Sequence, residues 1–162
     1  MLGERPLPRR ARGSFRRGTA KASKRGPVSV SEHVLNALLC CERVITEHNG
    51  KKGLIGVFTQ FNFPRVPAAN LPWFVYAWVA NLSAGSHTFT LNLVHDNTQA
   101  VVLSVGGDVE VKEVGVDVDL AVPVGSVIFP KFGAYSLTFN VDMDQVGSRV
   151  LRVTERREGD GS

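Results

Sequence analysis

Two adjacent cysteines, Cys40 and Cys41, are the residues of this 162-residue chain whose type and spacing best suit reactive or metal-binding chemistry. A zinc site needs about four ligands, and the sequence has no second cysteine pair to complete one. A nucleophilic thiol needs a base; Glu42 and His48 lie nearby, but no known catalytic signature surrounds them. Neighbouring side chains on a strand point to opposite faces, so the two thiols cannot readily bridge each other. We therefore predict reduced, metal-free thiols, one packed in the core and the other facing outward or towards a second layer.

The other side chains with potential chemistry are dispersed along the chain. The four histidines are His33, His48, His87 and His95. The pairs Asp117/Asp119 and Asp142/Asp144 could offer oxygen ligands to a weak calcium site, although solvated strand faces explain both pairs more simply. No glycine-rich phosphate loop, G-x-S-x-G motif or metalloprotease helix occurs. The sequence therefore predicts no catalytic, cofactor-binding or metal-binding residue, and a protein that is not an enzyme.

The charge is divided unevenly between a basic N-terminal segment and a mildly acidic remainder. Residues 1–27 carry nine Lys/Arg and one acid, a net charge of +8, whereas the rest of the chain carries −4. The segment has almost nothing to bury, so we expect it to be disordered. Its candidate nucleic-acid contacts are Arg9, Arg10, Arg12, Arg16, Arg17, Lys21, Lys24 and Arg25.

Other interpretations of the basic segment stay open. It could be an organelle transit peptide, because it is rich in Arg and poor in acids, or simply a solvated extension. The chain could also start later, since Val28 and Val30 lie where the composition changes. The segment lacks the apolar stretch of a secretory signal, and no apolar run approaches the ~18 residues of a membrane-spanning helix. Together with the two thiols, this predicts a cytoplasmic protein with no membrane partner.

The elements that must position these side chains have the period-two alternation of β-strands. The cysteines lie in "HVLNALLCCERVITE", followed by "HNGKKG" and "LIGVFTQF", which predicts a hairpin over about Leu35–Phe61 turning at Asn49-Gly50. A helix from Ser31 is the weaker alternative. "LPWFVYAWVANL" is apolar on both faces and predicts a central strand. Breaks are expected at Gly106-Gly107, Gly133 and Gly147, with "DVEVKEVGVDVDL" as one strand.

Eight or nine such strands predict an all-β fold, an antiparallel β-sandwich that is immunoglobulin-like or jelly-roll-like. The expected organisation is a disordered basic tail over residues 1–27, a β-sandwich domain over 28–155 and a polar C-terminal tail over 156–162. Within the domain, "SHTFTLNLVHD" and "AYSLTFNVDM" should direct Phe89, Leu91 and Leu93, and Tyr135, Leu137, Phe139 and Val141, into the core.

Three stretches, "ALLCCERVITEHNGKKGLIGVF", "FPRVPAANLPWFVYAWVAN" and "FPKFGAYSLTFNVDMDQVGSRVLRV", resemble a family of small bacterial β-sandwich proteins of uncharacterised function. The resemblance covers about Ala37–Val153 and implies that Gly133 and Tyr135 lie at the start of a late core strand, with Tyr135 near a corner. The departures are the Arg-rich segment, Cys41 where an acid is commoner, and "VPAAN". The shared motifs are structural and imply no particular activity.

Three functional hypotheses follow. The first is a non-enzymatic binding module of a bacterial cytoplasm, whose partner is a protein or a small ligand. The second is a coat or scaffold protein whose basic arm contacts nucleic acid. The third is a module that binds carbohydrate or nucleic acid by stacking on exposed aromatics. The candidates for stacking are Trp73, Phe74, Tyr76 and Trp78, although aromatic-rich strands more often lie in a core.

Overall fold

The computed structural model describes residues 33–159. The regular secondary structure of these residues consists entirely of β-strands. Within that range no helix is long and apolar enough to cross a membrane. The described strands are β1 (Val34–Thr46), β2 (Lys52–Phe58), β3 (Gln60–Phe63), β4 (Ala68–Ala69), β5 (Trp73–Ala80), β6 (Gly85–His95), β7 (Val101–Val111), β8 (Val118–Val124), β9 (Ile128–Phe129), β10 (Gly133–Val141) and β11 (Asp144–Glu155).

The strands form two main sheets and one short pair. The first sheet has the order β2-β1-β5-β8, the second has β3-β11-β10-β6-β7, and β4 pairs with β9. The predicted antiparallel arrangement holds for these pairs except β3 and β11, which run parallel. Only Thr59 separates β2 from β3, so the chain passes from one sheet to the other with too few residues for a reversing turn.

The two main sheets share one hydrophobic core. Val75 and Ala77 of β5 are completely buried, and Leu91, Leu137 and Phe139 of the second sheet lie in the same cluster. Each buried Val, Leu or Phe side chain contributes about 1.5–3 kcal/mol through removal of apolar surface from water. The predicted inward residues of β6 and β10 are confirmed, with Phe89 only half-buried.

The predicted cysteine-bearing hairpin is confirmed. β1 and β2 pair antiparallel, and the turn between them is closed by a 2.9 Å hydrogen bond from Gly50 N to Glu47 O. Gly50 has φ +82°, the left-handed conformation that makes Asn-Gly a favoured turn. The predicted end at Phe61 is wrong, because β2 stops at Phe58 and the chain then joins the second sheet.

Two of the predicted glycine breaks are wrong. Gly106-Gly107 lies inside β7 and Gly147 inside β11. A Cβ on Gly107 would lie 2.9 Å from the ring of Phe89 on the paired strand, so the glycine accommodates an aromatic side chain. The reversal after β10 instead uses Asp142 and Met143, which both have positive φ, as a tight two-residue hairpin turn requires.

The stretch expected to form one strand after β7 also differs from the prediction. β7 ends at Val111 and β8 begins at Val118, so a loop interrupts "DVEVKEVGVDVDL". β5 has the predicted central position, between β1 and β8. Its outer face is less buried than predicted, since Trp78 is 41% exposed.

The start of β10 is fixed as the family resemblance implied. β10 begins at Gly133, and the Tyr135 hydroxyl donates a 2.7 Å hydrogen bond to the Lys131 carbonyl oxygen. Gly133 has φ +128°, and a Cβ there would lie 3.1 Å from His95 Nε2. The buried ring of His95 packs against that of Tyr135, with 4.8 Å between centroids. Glycine is therefore required where the chain enters this core strand.

Candidate functional site

A groove of about 710 Å³ opens at the end of the molecule where β1 and β2 of the first sheet meet β3 of the second. We call it the aromatic groove, because its apolar lining includes Phe58, Phe61, Phe63 and Trp73. The segment between β3 and β5, which carries β4, completes its lining. Its size falls within the range typical of small-molecule sites.

The aromatic rings of the groove support one another. Phe61 lies 4.8 Å from Phe58, 5.7 Å from Trp73 and 5.9 Å from Phe63, measured between ring centroids. These distances lie in the range of favourable aromatic pairs. Phe61 and Phe63 are two residues apart on β3 and half-buried, so they share one face of the strand and remain partly open to solvent. The groove is therefore preformed by packing between its own rings.

One residue that lines the groove, Trp73, has an unpaired hydrogen-bond donor. Trp73 is 2% exposed, and its indole Nε1 has no hydrogen-bond partner within residues 33–159. A buried tryptophan N–H normally finds an acceptor, because an unmade buried hydrogen bond costs about 1–3 kcal/mol. The cost of this unmade hydrogen bond therefore falls on a residue that lines the groove.

Charged side chains also line the groove. Glu42 and Arg43 come from β1, and Arg156 follows β11. Glu42 lies across β2, where its carboxyl group is 2.8 Å from the position that a Cβ on Gly56 would occupy. Gly56 has φ +67° and no side chain, and both properties are needed here. This explains the glycine in "LIGVF".

A second polar cluster lies at the opposite end of β1. The imidazole of His87 is buried, its Nδ1 is 2.6 Å from Asp142 Oδ2, and its Nε2 is 2.7 Å from the Ser83 carbonyl oxygen. Asp142 Oδ1 also accepts a 3.0 Å hydrogen bond from Thr88 N. We call His87, Asp142 and the Ser83 carbonyl the histidine tie, because they connect the β5–β6 loop to the β10–β11 turn.

The two hydrogen bonds of the histidine tie determine the protonation state of His87. A carboxylate and a carbonyl oxygen can only accept, so both ring nitrogens of His87 must donate and the ring is an imidazolium. The hydrogen bond to Asp142, followed by that to Ser83, raises the pKa of His87, while the hydrogen bond from His87 lowers the pKa of Asp142. Ser83 Oγ lies 3.4 Å from His87 Nε2, but this nitrogen directs its proton at the serine's carbonyl and cannot act as a base towards the hydroxyl.

His33, His87 and Asp142 form a group whose possible ligand atoms lie within 4.8 Å of one another. The His33 and His87 rings meet edge to face at 6.0 Å. A metal ligand must be a neutral imidazole, so a cation here would have to displace a proton that His87 directs at an acceptor. The hydrogen bonds of His87 in the structure are therefore those of the histidine tie, which connects the β5–β6 loop to the β10–β11 turn.

The cysteines lie on opposite faces of β1, as predicted. Cys40 and Cys41 form no disulfide, and both are buried. Cys40 belongs to the core cluster, and burial raises the pKa of its thiol to about 12. Cys41 pairs in register with Val57 on β2 and Phe74 on β5, on the outer face of the first sheet. A buried, protonated thiol is a poor nucleophile.

The other predicted residues have separate positions. Asp117 accepts a 2.9 Å hydrogen bond from Trp78 Nε1, and Asp119 lies 3.5 Å from the Tyr76 hydroxyl. These carboxylates therefore interact with aromatic side chains on the outer face of the first sheet. The predicted nucleic-acid contacts lie outside the described residues: Arg9, Arg10, Arg12, Arg16, Arg17, Lys21, Lys24 and Arg25.

Neither the aromatic groove nor the histidine tie was predicted from the sequence. The available signal for the groove was the density of Phe and Pro in "FTQFNFPRVPAANLPW", which is unusual for a plain connection. For the tie, His87 and Asp142 are 55 residues apart, and no local motif joins them.

Fold and site together define a small all-β domain with a preformed, aromatic-lined groove at one end. The chain belongs to a family of unknown function (DUF6941), which matches residues 36–154. The predicted resemblance to a family of uncharacterised function is thereby confirmed. No curated protein is significantly similar to the chain.

Proposed function

We propose that this protein is a non-enzymatic binding module, built on an immunoglobulin-like or jelly-roll-like β-sandwich, whose aromatic groove holds a small apolar ligand. The observation that carries the proposal is a preformed groove of about 710 Å³ in which the rings of Phe58, Phe61 and Phe63 are half-buried beside the buried Trp73. Half-exposed aromatic clusters are normally closed over, so this groove fits a site completed by a ligand.

The test is titration with N-phenylnaphthylamine, a neutral apolar dye that fluoresces when removed from water. We expect saturable binding of one dye per chain. Ala69 is exposed and lines the groove, so Ala69→Trp should fill the space and abolish the signal. Ala100→Trp, at an exposed alanine outside the groove, is the matched control and should leave the signal unchanged. Non-saturable binding, or equal binding by the Ala69→Trp variant, would overturn the proposal.

A second candidate is the coat or scaffold protein with a nucleic-acid-binding arm. It is favoured by exposed apolar residues on the first sheet, among them Val57 at 51% and Trp78 at 41%, which could form contacts between copies. Light scattering separates the two candidates. A self-assembled shell would support the coat, and a monomer or dimer would exclude it.

We also propose a location in the bacterial cytoplasm. The support is the pair of unpaired thiols, which suits a reducing compartment. Fractionation of the native host with a periplasmic marker tests it, because recovery with that marker would contradict the proposal.

A further inference from the structure

The charged lining of the aromatic groove has the opposite sign from the domain around it. Residues 33–159 contain ten Lys/Arg and twelve Asp/Glu, a net charge of −2. The groove is lined instead by two arginines, Arg43 and Arg156, and one acid, Glu42. Arg43 lies on β1 of the first sheet and Arg156 directly follows β11 of the second, so the fold brings both residues to the lining of one groove.

Neither arginine forms an ion pair with an acid among the described residues. Within residues 33–159 the structure contains one ion pair closer than 4 Å, and that pair is His87 with Asp142. Glu42 lines the same groove, but its carboxylate lies over Gly56 and pairs with neither arginine. Arginine binds carboxylates through a planar fork of donors, so two unpaired guanidinium groups form a natural anion site.

The remaining lining determines the rest of the ligand. Phe58, Phe61 and Phe63 line the groove and are half-buried, so they offer ring surface to an apolar body. A volume of about 710 Å³ accommodates a molecule of two or three rings rather than a folded partner. A cationic ligand would meet two arginines against one glutamate, and a fully neutral one would leave both cations unmatched.

We propose that the ligand of the aromatic groove is a small apolar carboxylate, an aromatic or aliphatic acid whose anion binds between Arg43 and Arg156. This inference rests on the proposed function. It adds the charge and chemical class of the ligand to the apolar character already argued.

The test compares three probes of nearly the same shape: naphthylacetate, naphthaleneacetamide and naphthylethylamine. Each is titrated against the full chain loaded with N-phenylnaphthylamine, and displacement of the dye is measured. Loss of one charge-assisted hydrogen bond costs about 10-fold in affinity, and the acetate makes one to each arginine, so naphthylacetate should displace the dye at about one hundredth of the concentration needed for the amide. The amine should be the weakest of the three.

Charge variants locate the anion. Arg43→Gln and Arg156→Gln should each weaken naphthylacetate by about 10-fold and leave the amide unchanged, because only the acetate uses the guanidinium groups. Arg157→Gln, at an exposed arginine that does not line the groove, is the matched control and should have no effect.

The outcomes separate this inference from the proposed function. Equal displacement by acetate and amide, or tightest binding by the amine, would overturn the carboxylate assignment while the groove remained a binding site. Dye binding unaffected by Ala69→Trp would overturn the proposed function itself. A preference for the acetate that survives both arginine substitutions would mean that the anion does not bind at Arg43 and Arg156.

Discussion

The polar side chains near one end of β1 are fully hydrogen-bonded, whereas those near the other end lack partners among the described residues. At the end that begins with Val34, the buried His87 has an acceptor at each ring nitrogen, and Asp142 has a donor at each oxygen. At the other end, the described part of the chain offers no acceptor to Trp73 Nε1 and no ion-pair partner to the arginines of the aromatic groove. Buried polar groups that are fully paired stabilise a fold, whereas unpaired donors beside an open cleft cost stability and are typical of binding sites. The difference separates an end that holds the sheets together from an end available to a ligand.

The largest effect should come from breaking the histidine tie with Asp142→Asn. Asn tolerates the positive φ of this position, so the substitution removes the charge and leaves the turn intact. A broken buried pair costs about 3–5 kcal/mol, and the 40% exposure of the carboxylate reduces the expected loss to about 2 kcal/mol of unfolding free energy. Urea unfolding measures it. Asp144→Asn, on the exposed side of the same turn, is the control and should stay within about 0.5 kcal/mol. Equal losses in both variants would mean that the tie is not a stabilising element.

The pH dependence of stability tests the same pair with the protein unaltered. The lowered pKa of Asp142 means that its contribution is complete above about pH 4 and is lost as pH falls through the folded-state value. The raised pKa of His87 means that its contribution is complete below about pH 6.5 and is lost as pH rises through the folded-state value. The pair therefore stabilises most between these limits.

Thermal unfolding from about pH 5 to about pH 9 provides the measurement. The gap in melting temperature between the unaltered chain and Asp142→Asn should be widest near pH 5 and narrow towards pH 9. The gap should narrow without closing, because a neutral His87 can still donate one hydrogen bond to Asp142. A gap independent of pH would contradict the imidazolium assignment.

A smaller effect should follow from Tyr135→Phe, which removes the hydroxyl that binds the Lys131 carbonyl oxygen at the start of β10. Loss of one neutral hydrogen bond costs about 1 kcal/mol. Tyr76→Phe is the matched control, because its hydroxyl lies 3.5 Å from Asp119 at an exposed position and should contribute under about 0.5 kcal/mol. Urea unfolding of both variants makes the comparison, and a larger loss in Tyr76→Phe would contradict it.

The alternation of apolar residues predicted the parts of the fold that depend on period two. β10 is the clearest case: Leu137 and Phe139 face the core because a strand directs every second side chain to one side. The hairpin of β1 and β2 was predictable because Asn49-Gly50 is a local turn signal. The parallel pairing of β3 with β11 was not predictable, because the four residues of β3 do not specify a partner more than 80 residues away in the sequence.

Contacts between strands that are distant in sequence were not predictable for the same reason. Glycine in a sequence indicates conformational freedom, and Gly106-Gly107 was therefore predicted as a break. Gly107 is instead needed because a side chain there would collide with Phe89 on the paired strand. The pattern of a single strand does not contain this contact. His87 meets Asp142 only after β6 and β10 have paired in register. Period-two patterns predict which face a residue occupies, and long-range register decides what it meets there.

The smallest effect on stability should come from deleting residues 1–27. The described residues begin at His33, whose ring lies 6.0 Å from that of His87 in the histidine tie. The segment has few apolar side chains to bury, and the thermal midpoint should therefore change by less than about 2 °C. Calorimetry of both chains measures this. A midpoint many degrees lower would mean that the segment packs on the tie end and contributes to it.

The same deletion tests where any nucleic-acid affinity resides. The segment carries +8 and the remainder −4, so binding to a duplex should vanish with the deletion. For the full chain, log affinity should fall with log salt by about 0.9 for each phosphate neutralised, and engagement of five or six of the nine cations would give a slope of about −5. A truncated chain that still binds, with a salt slope of only about −2, would instead implicate the two unpaired arginines of the aromatic groove. Arg43→Gln in the truncated chain would then distinguish that surface from the rest of the domain, because it removes one of the two cations and should reduce the slope by about 1.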